Sequence, residues 1–96
     1  MADSILDGSQ ATTQPALNYA TMTLSELASV IANDWQGKVN YAAKPYLAAM
    51  HTLQSITDKY GLDSGQDIVI RFLGNAQTWR GDTARKVKAE LNKRLQ

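Results

Sequence analysis

Basic side chains are concentrated near the C-terminus of the chain. Residues 71–96 hold seven Lys and Arg against two acidic residues, a net charge of +5, whereas residues 1–70 hold three basic against seven acidic residues, a net charge of −4. Clustered cations suit the phosphates of a nucleic acid or an acidic protein, although a solvated helix face has the same composition. The candidate contact residues in this region are Arg80, Arg85, Lys86, Lys88, Lys93 and Arg94.

The tripeptide Arg80-Gly81-Asp82 matches the sequence that cell-adhesion ligands present to integrins. Such a ligand needs its carboxylate free on an exposed loop of a secreted protein, and nothing in the chain indicates secretion. Asp82 directly precedes a helical pattern, and Gly81 allows the chain to turn. We therefore interpret the tripeptide as a helix connection in which Asp82 is the N-cap of the next helix.

The other residues that could do chemistry form no recognisable catalytic set. His51 is the only histidine, the chain has no cysteine, and no serine stands in a nucleophile motif. The phosphate-binding patterns GxxxxGK[ST] and GxGxxG do not occur in the sequence. We expect a protein that is not an enzyme and holds no metal or cofactor, with His51 exposed on the surface.

Aromatic residues indicate a further candidate function, a protein-binding surface. Tyr41 and Tyr46 lie near predicted loops or helix starts, and Tyr, Trp and Arg are the residues that anchor protein interfaces. Both tyrosines are therefore candidate contact residues. The alternative is that the aromatics belong to the core, and for Trp35 and Trp79, each two residues before a glycine, we favour that interpretation.

A cap and a proline mark the first two of four predicted helices. Thr23 and Glu26 have the S/T-x-x-E spacing of a capping box, which begins a helix over residues 24–35. Pro45 fits the first turn of a second helix over residues 42–60. In both segments apolar residues recur at spacings of three and four, as they do on the buried face of an amphipathic helix.

The third and fourth predicted helices lie on either side of the tripeptide. Two overlapping capping pairs, one beginning at Asp63 and one at Ser64, predict the start of a third helix over residues 65–78. A fourth helix over residues 83–95 carries five of the ten basic residues. Together they imitate a helix-turn-helix outline, but the connection over residues 77–82 is longer than the usual tight turn.

The length of 96 residues and the hydrophobic content of 44% fit one small domain. Residues 1–22 are rich in Thr, Ser, Gln and Ala without helical periodicity, so we predict a disordered tail or leader there and a helical domain over residues 23–96. The fold class is all-α, a compact four-helix domain behind that disordered N-terminal tail. A core of this size can leave apolar area exposed, which would allow a homodimer.

Three features predict a soluble protein of the cytoplasm with no membrane partner. The chain has no cysteine, so it lacks the disulfides that secreted proteins of this size usually need. The N-terminus shows no signal-peptide pattern. No apolar run approaches the roughly 18 residues that a membrane-spanning helix requires.

Two segments, DWQGKVNYAAKPYLAAM at residues 34–50 and KYGLDSGQDIVIRFLGNAQTWRGDTARKVKAELNKRL at residues 59–95, combine several short motifs. They contain an Asp-Trp pair, a Pro-Tyr-Leu helix start, a turn with Tyr-Gly and Asp-Ser, and a Trp-x-Gly turn before a basic helix. On these motifs the chain resembles a family of small phage and prophage proteins of uncharacterised function. The resemblance brings no catalytic residues, and it implies an accessory protein made inside a bacterial cell.

Two functional hypotheses follow. The leading one is a non-enzymatic protein-binding accessory module, a phage protein that binds or inhibits a host or phage protein. The alternative is a small DNA- or RNA-binding protein that uses the basic C-terminal helix, since phosphate contacts need clustered cations.

Overall fold

Four α-helices and one short hairpin make up residues 18–96, the part of the chain that the computed structural model describes. The helices are α1 (Leu24–Trp35), α2 (Lys44–Met50), α3 (Gly65–Gly74) and α4 (Asp82–Arg94). The hairpin pairs β1 (Lys59–Tyr60) with β2 (Asp63–Ser64), and single turns of 3-10 helix lie at Tyr19–Thr21 and Tyr41–Ala43. The predicted all-α class with four helices is confirmed.

The apolar stripes of all four helices meet in one core. α1 packs against α2 and α4, and α3 packs against α2. Fully buried side chains from each helix contribute, among them Ile31, Met50, Phe72 and Leu91. No helix within residues 18–96 is both long enough and apolar enough to cross a membrane.

α1 begins and ends where the sequence predicts. Thr23 Oγ1 accepts a hydrogen bond from the Glu26 N–H at 3.1 Å, and Glu26 Oε1 accepts one from the Thr23 N–H at 2.8 Å. The capping box is therefore complete, and two N–H groups of the first turn gain partners. After Trp35 the chain turns through Gln36 and Gly37, both with positive φ, which ends the helix.

The second helix is much shorter than predicted. Pro45 lies in its first turn as expected, but α2 ends at Met50, so the prediction of a helix over residues 42–60 was wrong. The Asp58 carboxylate accepts hydrogen bonds from the backbone N–H groups of Gln54, at 2.9 Å, and Ser55, at 3.1 Å. Such local bonds offer the backbone an alternative to helical hydrogen bonding, and here that alternative is adopted.

Leu53 is buried although it lies outside α2. Its carbonyl oxygen accepts a hydrogen bond from the Ser25 N–H at 2.8 Å, and the Gln54 oxygen accepts one from the Leu24 N–H at 2.9 Å. These N–H groups belong to the first turn of α1 and have no acceptor within their own helix. The apolar spacing after Met50 therefore indicates residues that are buried against α1 without being helical. The carbonyl groups of this segment supply hydrogen-bond acceptors to the start of that helix.

α3 starts at one of the two predicted caps, and it ends earlier in the chain than predicted. Ser64 Oγ accepts a hydrogen bond from the Asp67 N–H at 3.1 Å, so the pair beginning at Ser64 provides the cap. The helix ends at Gly74, four residues before the predicted end of the 65–78 helix. The seven residues 75–81 then connect α3 to α4.

α4 begins one residue earlier than predicted and without a side-chain cap. Gly81 occupies the N-cap position with φ of 112°, a conformation that favours glycine. The prediction that Asp82 is the N-cap was wrong. Its carboxylate is instead paired with Arg85, at 2.5 Å, and with Lys86, at 3.1 Å.

The last five residues of the predicted tail belong to the folded domain. Asn18 Oδ1 accepts a hydrogen bond from the Ala20 N–H, and the guanidinium of Arg94 donates to the Tyr19 carbonyl at 2.8 Å. The domain therefore extends to residue 18, before the predicted boundary at Thr23. The rest of the predicted tail, residues 1–17, lies outside the described residues.

Gly65 provides a test of how the hairpin is joined to the core. A Cβ atom at this position would lie 2.8 Å from the Ser55 carbonyl oxygen and 3.0 Å from Ile56 Cα. Both are backbone atoms, so rotation of a side chain cannot relieve the contact. Gly65→Ala is expected to lower the free energy of unfolding by about 1–3 kcal/mol, measured by urea denaturation.

Gly74 is the matched control, because apart from its chain neighbours and the nearby backbone of its own helix no atom lies within 4 Å of the position where its Cβ would be. Gly74→Ala is expected to leave stability unchanged or to raise it by about 0.5–1 kcal/mol. Equal stability of Gly65→Ala and the wild-type protein would contradict the close approach of these two backbones.

Candidate functional site

A cluster of three aromatic rings joins α1, α3 and the segment before α4. Trp35 and Trp79 are stacked, with ring centroids 5.7 Å apart and planes 19° apart, and Phe72 meets both rings edge-on. Trp79 Nε1 donates a hydrogen bond to Asp34 Oδ2 at 2.8 Å. The two tryptophans are 5% and 2% exposed, which confirms the prediction that they belong to the core.

Two of the six predicted basic residues hold α4 in place. Lys88 Nζ donates to the Trp79 carbonyl at 2.6 Å and lies 5.8 Å from the centroid of the Trp79 ring. Burial, and in second place the positive charge of Arg80, lower the pKa of Lys88 below its ordinary value. The guanidinium of Arg94 donates to the Tyr19 carbonyl at 2.8 Å and also pairs with Glu90 Oε2 at 2.7 Å, with the Arg94 and Glu90 side chains largely buried. Lys88 and Arg94 therefore have structural roles.

The other four basic residues are exposed. Arg85 and Lys86 share the carboxylate of Asp82, and exposed ion pairs of this kind contribute little to stability. Arg80 and Lys93 form no ion pair with another residue of the described range. These four side chains are available to a partner, because none of them is needed for packing.

Two separate grooves divide the basic residues. The first, with a volume of about 460 Å³, runs between α4 and the turn at Tyr19, and Lys86 and Lys93 line it together with Asp82 and Glu90. The second, which we call the Trp79 groove, has a volume of about 290 Å³. Its lining residues are Trp79, Arg80, Gly81, Ala84, Arg85 and Lys88. Arg85 and Lys86, which share the Asp82 carboxylate, line different grooves, and Arg94 lines neither of the two.

The two predicted tyrosines differ in their availability. Tyr41, in the 3-10 turn before α2, is 87% exposed. Tyr46 is partly buried and packs against the core. Of this pair, Tyr41 can contact a partner without any rearrangement, whereas much of the Tyr46 ring is already used in packing.

The sequence interpretation missed the β1–β2 hairpin. Tyr60 is 47% exposed and Leu62 is fully exposed, although Tyr60 was predicted to lie at the end of the helix over residues 42–60. Gly61, with φ of 64°, and Leu62 form the two-residue loop between the strands. Gly at the first position of such a loop is a recognised hairpin signal, and it is the one that could have identified the turn.

The arrangement of α3 and α4 differs from a helix-turn-helix. In that motif the two helices are joined by a turn of about three or four residues. Here seven residues connect them, and these include the buried side chains of Ala76 and Trp79. α4 packs against α1 and the Tyr19–Thr21 turn, whereas α3 packs against α2.

Within residues 18–96, no three His, Cys, Asp or Glu side chains are grouped so that they could hold a metal ion. His51 follows α2 and is exposed, as predicted. The chain matches no family model, no curated protein and no solved structure.

The hydrogen bond between Asp34 and Trp79 can be tested by removing its acceptor. Asp34 is exposed, so Asp34→Ala loses little burial, but it leaves the indole N–H of a buried ring without this partner. The free energy of unfolding is expected to fall by about 1–3 kcal/mol, measured by urea denaturation followed through tryptophan fluorescence.

Asn33→Ala is the control for this variant. Asn33 is the preceding residue of α1, is exposed, and makes no side-chain hydrogen bond to another described residue. Its replacement should change the free energy of unfolding by less than about 0.5 kcal/mol. If the two variants proved equally stable, the bond to Asp34 would contribute nothing to holding Trp79.

Proposed function

We propose that the protein is a non-enzymatic protein-binding module whose contact surface is the β1–β2 hairpin. The observation that carries this proposal is the full exposure of Leu62 at the hairpin loop, beside the partly exposed ring of Tyr60. Moving a leucine side chain from water into an apolar pocket contributes about 1.5–3 kcal/mol. A partner that offers such a pocket would therefore gain much of its affinity from this one residue.

The hairpin is held in position before any partner binds. The Gly65 N–H donates to the Asp58 carbonyl at 2.7 Å, and the Gln66 N–H donates to the Ile56 carbonyl at 3.0 Å. These bonds join the start of α3 to the segment before β1. Binding therefore immobilises few additional rotatable bonds of the hairpin, so association loses less conformational entropy.

Charged residues surround the apolar loop. Lys59 in β1, Asp63 in β2 and Asp67 in α3 are all exposed. An apolar centre with a polar rim is the usual composition of a protein interface. The expected partner is a protein with an apolar pocket for Leu62 and polar groups at the edge of that pocket.

The resemblance to small phage and prophage proteins supports a biological setting for this activity. It favours an accessory protein in the cytoplasm of a bacterial host, where it binds or inhibits a host or phage protein. A homodimer is a second way to cover the hairpin, since a copy of the chain could bury Leu62.

DNA or RNA binding is the second candidate function. Arg80 and Lys93 favour it, because they are exposed and form no ion pair within residues 18–96. Arg94 counts against a continuous phosphate-binding face on α4, because its guanidinium is held by the Tyr19 carbonyl and by Glu90.

Leu62→Ser tests the hairpin as the contact surface. A photo-crosslinking amino acid introduced at position 62 in bacterial cells is expected to form an adduct with one protein, which mass spectrometry identifies. The affinity of the purified partner should then fall about 10-fold or more in Leu62→Ser, measured by calorimetry, because the apolar contact is lost. Thermal stability should not change, since Leu62 has no contact to lose.

Ile70→Ser is the control, because it removes another exposed apolar side chain, 49% exposed on α3, at a different place. It should leave the affinity unchanged, and wild-type affinity in Leu62→Ser would refute the hairpin surface. Sedimentation of the purified protein distinguishes a second copy of the chain from a different protein as the occupant. A wild-type dimer that becomes a monomer in Leu62→Ser would identify a second copy. Recovery of nucleic acid without any protein would favour the second candidate function.

A further inference from the structure

We propose that the Trp79 groove binds a phosphate group. Three of its six lining residues are cationic, Arg80, Arg85 and Lys88, and none is acidic. A phosphate monoester or diester is the anion that such a set of ammonium and guanidinium donors fits. This proposal is independent of the hairpin surface.

Arg80 and Lys88 are like charges held close together. The proximity of Arg80 adds to the effect of burial in lowering the pKa of Lys88, and neither residue forms an ion pair within residues 18–96. Two neighbouring cations repel each other, and an anion near both offsets that repulsion by attracting each of them. A bound phosphate would therefore favour the charged form of Lys88.

Hydrogen-bond donors remain free on all three side chains. The ammonium group of Lys88 has three donors, and the Trp79 carbonyl accepts from one of them. The guanidinium of Arg85 has five donors, of which the bond to Asp82 uses one. Arg80 makes no side-chain hydrogen bond to another described residue. The groove therefore has donors available without breaking an existing contact.

The main chain adds to the positive potential of the groove. Gly81 and Ala84, in the N-cap and first turn of the 13-residue helix α4, line it, and no side chain caps this helix. The N–H groups of a helix start carry partial positive charge, which favours an anion. They supplement the three cations on which the proposal depends.

The size of the groove limits the ligand. Its volume of about 290 Å³ lies just below the roughly 300–1,000 Å³ that small-molecule sites occupy. It suits one phosphate group together with a small part of the molecule that carries it. That phosphate can come from a small phosphorylated molecule or from the backbone of a nucleic acid.

The test is a titration of the full chain with inorganic phosphate at constant ionic strength, followed by amide NMR. Saturable shifts are expected for the amides of Gly81 and Ala84, with a rise in the pKa of Lys88 at saturation. Arg80→Gln should weaken binding about 10-fold or more, because a hydrogen bond between two charged groups is lost. Arg80 is exposed and makes no ion pair within the described residues, so this variant should keep the wild-type spectrum elsewhere.

Lys44→Gln is the matched control, since it removes the same charge from an exposed position at the start of α2. It should bind phosphate as the wild-type protein does. Absence of saturable shifts at Gly81 and Ala84 would overturn the proposal. An equal loss of affinity in Arg80→Gln and Lys44→Gln would also overturn it, because it would reveal only an effect of net charge.

A second titration with a short DNA duplex separates the two sources of phosphate. If Arg80→Gln weakens DNA binding and Lys44→Gln does not, the site binds a nucleic-acid backbone. If phosphate binds as expected and DNA binding is absent or insensitive to Arg80→Gln, the ligand is a small phosphorylated molecule. Both results support the site, whereas DNA binding without saturable phosphate binding would refute it.

Discussion

The stacked pair of Trp35 and Trp79 is the contact on which the rest of this structure depends. It joins the end of α1 to the connection before α4, and the Asp34 carboxylate fixes the orientation of the Trp79 ring through its indole N–H. Large aromatic rings bury more apolar area than other side chains, so this pair contributes strongly to a small core. The backbone at Trp79 is fixed as a result, and its carbonyl receives the Lys88 ammonium group. The Trp79 groove is therefore a consequence of core packing.

The hairpin depends on a different kind of interaction, local hydrogen bonding by the Asp58 carboxylate. Asp58 accepts from two backbone N–H groups just after α2, and its own carbonyl accepts from Gly65 at the start of α3. Because Gly65 has no side chain, the two backbones approach closely there. Leu62 is held away from the core by this arrangement. The two proposed contact surfaces thus differ in chemistry, one apolar and one cationic, and each is fixed by its own set of internal contacts.

Patterns that act within a few residues were predicted well. The capping box at Thr23 set the start of α1, Ser64 capped α3, and Pro45 lay in the first turn of α2. The prediction failed after Met50, where apolar residues at helical spacing pack against α1 without forming a helix. It failed again at Asp82, whose carboxylate is close enough to pair with Arg85 and Lys86. Periodicity shows which residues are buried, but not whether local side-chain bonds compete with the helix.

The sequence by itself determined the all-α class, the burial of both tryptophans and the position of α1, because hydrophobic spacing and caps act over one or two turns. It also placed the basic residues near the C-terminus. Only the tertiary structure decided which of them are free, since the partners of Lys88 and Arg94 include carbonyls at Trp79 and Tyr19, nine and 75 residues away. The tertiary structure also decided the exposure of Leu62, because that exposure follows from the contact between Gly65 and the segment after α2. Contacts between distant residues depend on how the helices pack, and short-range patterns do not contain that information.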